Sequence, residues 1–172
     1  MPAPPLTRRQ FRGLVRIAPL PSIDLIVTDR SHRVLLGLRK NQPAKGYWFV
    51  PGGRIRKNEH FETAFKRITR QELGVRIPLE DAVPVGLFEH LHRTGPVAGV
   101  GTHYVVVALQ LVSLPLPDVL PTAQHSRYRW FTLHEAATLR SVHRYTRAYF
   151  HKTPATKVLP SLPRRQLAFE PI

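Results

Sequence analysis

One stretch of the chain, VPGGRIRKNEHFETAFKRITRQELGV, constrains the fold most, because a glycine turn leads directly into an amphipathic helix. Across residues 59–73 the apolar residues recur at helical spacing, at Phe61, Phe65 and Ile68. We predict Asn58 as the N-cap of this helix and Gly74 as the residue that ends it. One further step along the apolar stripe reaches Glu72, so the helix turns a carboxylate toward the core.

Glu72 is open to two interpretations. Glutamate is tolerated at the boundary of a helix end, where it needs no partner. A metal ligand is the better interpretation here, because Mg²⁺ prefers oxygen ligands and keeps several waters, so that one carboxylate and a nearby carbonyl suffice. Gly53 lies in the preceding turn and has no Cβ to keep such an ion from its backbone carbonyl.

The rest of the chain predicts strands mixed with few helices. We expect strands at residues 23–29, 33–39, 48–50, 84–92, 102–112 and 128–131, and further helices from about residue 132 and over 142–150. The first two strands form a hairpin around residues 30–32. This pattern predicts an α+β fold, with a mixed sheet sandwiched between helices. Residues 1–152 form one domain, and residues 153–172 form a basic, proline-rich tail that is extended or poorly ordered.

The chain is strongly basic, with 26 Lys and Arg against 11 Asp and Glu and a net charge of +15. Such a surface attracts nucleic acid, anionic lipid or a phosphorylated small substrate. No recognition motif accompanies the charge, so we do not expect specific nucleic-acid binding. The chain has no cysteine, which excludes thiolate chemistry. Neither a signal-peptide core nor a long apolar run is found, so we expect a cytoplasmic protein without membrane association.

The helix stretch also carries a family motif. Its spacing resembles the Nudix box, G-x5-E-x7-R-E-U-x-E-E-x-G-U, with matches at Gly53, Glu59, Arg67, Glu72 and Gly74. Two acidic positions of that box hold Ile68 and Gln71 instead. The same kind of loss occurs in one subfamily, the GDP-mannose mannosyl hydrolases. Together with LLGLRKNQPAKGYWFVPGGR, THYVV, QH…YRW and VHRYTRAYF, the altered box makes the chain up to about residue 150 resemble that subfamily.

The resemblance implies a set of metal ligands and a base. Glu72, the carbonyl of Gly53 and the side chain of Gln124 correspond to ligands of Mg²⁺, with Mn²⁺ as a substitute. His125 corresponds to the catalytic base, although a histidine in a polar loop such as PTAQHSRYRW is more often simply solvated.

The resemblance also implies residues that act on the phosphates. Arg39 and Arg54 face the phosphates and help the leaving group depart, and Tyr104 contacts the pyrophosphate. Arg67 orients the glycine turn and the metal ligands. The implied partners are a GDP-sugar substrate and a second copy of the chain in a homodimer.

Three further residues, Asp24, His90 and His92, are assigned no role. Asp24 and His90 stand at strand positions like those of the family. His90 and His92 alternate along one strand and could mimic a metal pair, but no third ligand is evident in the sequence.

The missing acids agree with the chemistry that the resemblance implies. Attack on phosphorus needs a metal-activated water, often with more than one ion. Attack on an anomeric carbon needs a good leaving group and a base for water. The implied reaction is therefore hydrolysis of GDP-mannose, and of GDP-glucose, to GDP and free sugar with inversion at C1. Two alternatives stay open: a Nudix pyrophosphohydrolase that cleaves a P–O bond, and a non-catalytic module that binds nucleotide or nucleic acid.

Overall fold

One mixed sheet organises the part of the chain that the structure, a computed structural model, describes, residues 6–150. Its seven strands are β1 Leu20–Thr28, β2 Val34–Arg39, β3 Trp48–Phe49, β4 Gly52–Arg54, β5 Val83–Val97, β6 Val100–Val112 and β7 His125–Phe131. The order across the sheet is β3-β2-β1-β6-β5, while β4 pairs with β1 and β7 pairs with β2. Only the pairing of β1 with β6 is parallel among these, and it runs from Leu20↔Tyr104 to Thr28↔Val112.

Helices cover both faces of this sheet. They are α1 Arg8–Ile17, α2 Phe61–Leu73, α3 Leu133–Thr138 and α4 Arg144–Ala148, with one 3₁₀ turn at Leu79–Asp81. The apolar face of α2 packs with Ile23, Leu25 and Val27 of β1 in one core cluster. On the other face, side chains of α3 and α4 pack with Ile26 and Phe88 in a second cluster. The predicted α+β fold, with a mixed sheet between helices, is confirmed.

Of the two ends predicted for α2, one was right and one was wrong. Gly74 ends the helix in the left-handed region, at φ 78°, as predicted. The N-cap prediction was wrong, because the cap is His60. Asn58 adopts a positive φ of 61° in the turn before it. The side chain of Glu59 accepts a hydrogen bond from the backbone N–H of Arg56, which holds that turn outside the helix.

Helix α1 was not predicted. It begins with a capping box, in which the Thr7 hydroxyl accepts from the Gln10 backbone and the Gln10 side chain accepts from the Thr7 N–H. No side chain of α1 is fully buried, and its polar surface hides the amphipathic pattern. The tail predicted at residues 153–172 lies outside the described residues. None of the described helices has the length and apolar character that a membrane crossing requires.

Candidate active site

A cavity of about 310 Å³ opens between the glycine turn, β2 and the starts of β1 and β6. Five of the predicted site residues line it: Arg39, Gly53, Arg54, Tyr104 and Gln124. Glu72, His125 and Arg67 do not contribute to its wall. They lie behind the lining residues, so the predicted constellation forms two layers around one cavity.

The Glu72 carboxylate is the centre of the inner layer. Its side chain is buried, with 4% of the residue exposed, and Oε1 accepts a 2.6 Å hydrogen bond from Nε2 of Gln124. The other oxygen, Oε2, is buried without a hydrogen-bond partner among the described residues. Burial raises the pKa of Glu72 to about 7. A buried carboxylate with an unsatisfied oxygen beside an amide that lines the cavity fits a hard cation.

The two residues that replace the lost acids of the box have structural roles. Ile68 is buried, and its Cγ1 would lie 3.1 Å from a Cβ built on Gly53, so it packs directly beneath the glycine turn. The Gln71 side chain accepts a 2.9 Å hydrogen bond from Nη1 of Arg67. Across residues 6–150 no three His, Asp or Glu side chains are grouped as metal ligands. The donor set predicted from the sequence is one carboxylate with an amide and a carbonyl, which would suit Mg²⁺ with retained waters.

Arg67 holds the glycine turn rather than facing the cavity. Its Nε and Nη2 donate to the two oxygens of Glu59, at 2.6 and 2.8 Å. Nη2 also donates to the backbone carbonyl of Arg54 at 2.8 Å. The bidentate pair with Glu59 fixes the guanidinium, and the bond to the Arg54 carbonyl ties α2 to β4, so Arg67 is a positioning residue for the Gly53–Arg54 backbone.

His125 is not a solvated loop residue. It opens β7 opposite Arg39 of β2 and is fully buried, with 0% exposure. The ring fits because Gly37 leaves the space: a Cβ there would lie 2.5 Å from Cγ and Cδ2 of the imidazole. Burial, with a contribution from the Arg39 charge, lowers the pKa of His125 to about 4, so the ring is neutral.

The hydroxyl of Tyr128 sets the tautomer of this neutral ring. It lies 2.8 Å from the carbonyl of Pro121, to which it donates, and 3.2 Å from Nδ1 of His125. Because a hydroxyl has one hydrogen, it accepts from Nδ1–H. Nδ1 is 3.5 Å from Oε2 of Glu72, too long for a good hydrogen bond. Nε2 then carries the lone pair, and it has no partner among the described residues.

The two arginines of the cavity wall are held differently. Arg39 is half-buried at the end of β2, and its Nε donates to the carbonyl of Pro43 at 2.9 Å. Arg54 is exposed on β4, and its guanidinium lies 4.3 Å from the ring centre of Phe11 in α1. Both guanidiniums therefore line the cavity, that of Arg39 held by a hydrogen bond and that of Arg54 by an aromatic ring.

Asp24 is a site residue to which the sequence assigned no role. It lines the cavity from the middle of β1, is 7% exposed, and accepts a 2.6 Å hydrogen bond from the hydroxyl of Tyr149. Burial raises its pKa to about 7. The available signal was a lone carboxylate inside the apolar run SIDLIVT.

The histidines of β5 have a third neighbour after all. His143, at the N-cap of α4, has its ring centre 5.2 Å from that of His92. His90 stacks on Tyr145 at 4.3 Å and lies 3.2 Å from the Tyr149 hydroxyl. Burial is the main cause that lowers the pKa of His90 to about 3 and those of His92 and His143 to about 4. The three rings form a neutral, aromatic wall and do not group as a metal site within the described residues.

Comparison with known proteins finds relatives in sequence and in fold. The sequence pattern of the NUDIX domain matches residues 18–151. The low-salt glycan biosynthesis protein Agl8 of Haloferax volcanii is 38% identical over 123 residues, which are 71% of this chain and 76% of that protein. A MutT NUDIX hydrolase of Burkholderia pseudomallei has a TM-score of 0.61 at 27% identity, over 77% of this chain and 96% of that one. A MutT protein of Methanosarcina mazei has a TM-score of 0.63 at 17% identity, over 78% and 92%, and is alike in fold.

Proposed function

We propose, from the premise that this chain belongs to the Nudix hydrolase family, that it hydrolyses GDP-mannose and GDP-glucose to GDP and free sugar. Membership of the family makes the protein a Nudix hydrolase, and members of the family generally use Mg²⁺ or Mn²⁺. The relative from Haloferax volcanii is named for glycan biosynthesis, which supports a substrate that contains a sugar.

One observation carries the choice of carbon over phosphorus. The box positions that would bring two more acids toward the metal are filled by Ile68, which packs under Gly53, and by Gln71, which is bonded to Arg67. Of these positions at the end of α2, Glu72 is left as the carboxylate, with a single oxygen that has no hydrogen-bond partner among the described residues. Such a donor set suits one ion that neutralises a leaving phosphate better than a group of ions that activates water for attack on phosphorus.

The proposed metal ligands are Glu72, the side chain of Gln124 and the carbonyl of Gly53. When bound, Mg²⁺ supplies positive charge that stabilises the departing diphosphate. For Gln124 to be a ligand, its amide oxygen must replace the N–H that now bonds to Glu72. Arg67 fixes the Gly53–Arg54 turn so that the carbonyl points consistently.

Arg39, Arg54 and Tyr104 hold the diphosphate in the cavity. The two guanidiniums take up negative charge as the bond between C1 and the phosphate oxygen breaks and its electron pair leaves with GDP. The leaving group is already a weak base, so it needs no proton from the protein. Arg39 and Arg54 are thus the proposed groups that lower the barrier to departure.

His125 is the proposed base. Its Nε2 lone pair takes a proton from the water that attacks C1, and direct displacement inverts the configuration there. The ring is buried and does not line the cavity, so the segment carrying Gln124 and His125 must shift toward the cavity when substrate binds. This shift of the segment is required only if His125 is the base.

Hydrolysis in ¹⁸O-labelled water tests the reaction. We expect the label in the free sugar, unlabelled GDP, and a first-formed sugar anomer opposite to that of the substrate, as seen by NMR. GMP and sugar 1-phosphate as products, or label in phosphate, would instead identify cleavage of a P–O bond, which is the second candidate.

We also propose that the protein is a homodimer. Strand β5 is an edge of the sheet, and Val83 and Leu91 on it are each 55% exposed, which leaves apolar surface for a second copy. Sedimentation equilibrium at several concentrations tests this, and a monomer throughout the micromolar range would contradict it.

A further inference from the structure

A second cleft, larger than the active-site cavity, lies directly beside it. Its volume is about 860 Å³, against about 310 Å³ for the active-site cavity. The two share part of their walls, namely Phe11, Asn41, Gln42 and Pro96. A ligand that fills the smaller cavity can therefore extend into this cleft without leaving the protein surface.

All of the charged residues that line the cleft are positive. Five cationic side chains and no acidic one contribute to it: Arg8, Arg9, Arg12, Lys40 and Lys45. They come from two separate segments, α1 and the loop between β2 and β3. Convergence of this kind on one concave surface focuses a positive potential there.

Within residues 6–150 these five cations have no acidic partner, a property that they share with most cations of this basic chain and that a few others do not have. Arg33, Lys66 and Arg129 each pair with a carboxylate four to six residues away. Within residues 6–150, none of the five residues of the cleft forms an ion pair. Lys40 donates to a backbone carbonyl, that of Thr122, at 3.1 Å.

The first turn of α1 adds an electrostatic cost. It contains Arg8 and Arg9 and no acidic residue, so two positive charges stand near the positive end of the helix dipole. Repulsion there would be relieved by an anion in the cleft. The stack of Arg54 on Phe11 joins this charge to that of the active-site cavity.

We infer that this basic cleft is an extension of the active site, and that it makes the enzyme prefer, over GDP-mannose itself, related substrates that carry an anionic group in addition to the diphosphate. This rests on the proposed function, since the diphosphate is assigned to Arg39 and Arg54. The additional group is a phosphate on the ribose or a carboxylate on the sugar. A nucleic-acid strand is disfavoured, because Phe11 is the single aromatic residue among those that line the cleft, whereas single strands stack on several.

The double variant Arg8→Ala/Arg12→Ala tests this inference, since both side chains project from one side of α1. The matched control, Arg16→Ala/Arg76→Ala, removes the same charge outside the cleft. In one arm, hydrolysis of a GDP-linked uronic acid is compared with hydrolysis of GDP-mannose. In the other arm, calorimetry compares GDP with GDP that carries a 3′-phosphate.

In one arm we expect the additional anion to improve kcat/KM or Kd by about tenfold or more at low salt. The cleft variant should remove that gain and the control should keep it. The responding arm identifies the side of the substrate that carries the anion. No gain in either arm, or equal losses in both variants, would overturn the inference.

Binding of inorganic tripolyphosphate separates this inference from the proposed reaction. We expect the cleft variant to weaken it about tenfold even if no GDP-sugar is hydrolysed, because the charges of the cleft act on any polyanion. Equal tripolyphosphate affinity in the wild type and the cleft variant, or tighter binding of a random decanucleotide than of the anionic nucleotide, would refute the inference.

Discussion

Gly37 of β2 packs directly against the imidazole of His125, so closely that a Cβ on Gly37 would lie 2.5 Å from two ring carbons. Real side chains do not approach so closely, so the glycine and the buried histidine depend on each other. We therefore expect Gly37→Ala to displace the ring. Overpacking of this kind costs roughly 1–3 kcal/mol of stability, and a shift of about 1 Å in a catalytic group costs roughly a hundredfold in rate.

Gly13→Ala in α1 is the matched control, because no atom lies within 4 Å of its added Cβ. It should stabilise the protein by roughly 0.5–1 kcal/mol and leave kcat unchanged. Urea unfolding and initial rates measure both effects. Wild-type turnover in Gly37→Ala would show that the position of His125 does not matter to the reaction.

Glu72→Gln should have opposite effects on activity and on metal-free stability. Loss of the carboxylate removes the proposed anionic metal ligand, so kcat/KM should fall by roughly a hundredfold. Burial raises the pKa of Glu72 from its ordinary 4.5 to about 7, so its charged form disfavours the fold and stability falls as pH rises from about 4.5 to 7. At pH 8 without metal, the Gln variant should unfold at a higher urea concentration than the wild type.

Glu62→Gln on the same helix is the control, since Glu62 is exposed and pairs with Lys66. It should keep the rise in Tm that Mg²⁺ causes, while Glu72→Gln should lose it. If Glu72→Gln retains both the Tm rise and the turnover, Glu72 is not a ligand.

His125→Gln should lower kcat by roughly 10²–10⁴-fold, as expected for loss of a general base. The wild-type rate should fall as pH drops through the pKa of His125, which burial lowers, and the variant should lack that limb. Tyr128→Phe keeps the ring but removes the hydroxyl that accepts from Nδ1–H. Its kcat should fall less, with KM little changed, and an identical acid limb in His125→Gln would assign the titration to another group.

Arg67→Lys should lower kcat/KM by about tenfold and lower Tm, because lysine cannot bind both oxygens of Glu59 and the Arg54 carbonyl together. Arg70→Lys on the exposed side of the same helix controls for the loss of a guanidinium. Equal behaviour of the two variants would remove the positioning role.

The histidine wall should make stability depend on pH. His90, His92 and His143 have folded-state pKa values of about 3, 4 and 4, below the ordinary 6.5. The unfolded chain therefore binds more protons between about pH 4 and 6.5, so these groups destabilise the fold increasingly as pH falls through that window.

Asp24 and Glu72, whose pKa values are raised, act in the opposite sense, so the comparison must be made with a variant. The unfolding free energy of His92→Asn/His143→Asn should fall less from pH 7 to pH 5 than that of the wild type. His32→Asn, at an exposed turn, should follow the wild type. Parallel pH profiles for all three proteins would contradict the assignment.

The sequence predicted those parts of the fold whose local pattern and tertiary role agree. Helix α2 is amphipathic and ends in a glycine, and β1, β2 and β6 are nearly continuous apolar runs, so their positions followed from periodicity. Helix α1 was missed because none of its residues is fully buried and arginines dominate its surface. The start of β7 was placed at residue 128 rather than His125. The first residues of this strand are polar, and they are extended because they pair with β2, a contact that the local sequence does not reveal.

The site was predicted only as far as a motif could carry it. The box spacing located Glu72 and Gly53, and resemblance added residues distant in sequence, such as Gln124, which lies within hydrogen-bond distance of Glu72. The burial of His125 depends on Gly37, some ninety positions away, and no local pattern records that contact. The bond from Tyr149 to Asp24 spans 125 positions and was likewise invisible.

The parallel pairing of β1 with β6 has a consequence for the making of the protein. Residues 20–28 lie at the centre of the sheet, yet their partner strand is formed by residues 104–112. Closing a loop of this length costs conformational entropy before any hydrogen bond between β1 and β6 has formed. This step is therefore slow, and the central pairing of the sheet forms late. On the ribosome, β2 and β4 can pair with one edge of β1, but its other edge must stay unpaired until β6 has emerged. We expect chains that stop before residue 104 to aggregate or to be held by chaperones, because the sheet is incomplete and the active-site cavity lacks its β6 wall.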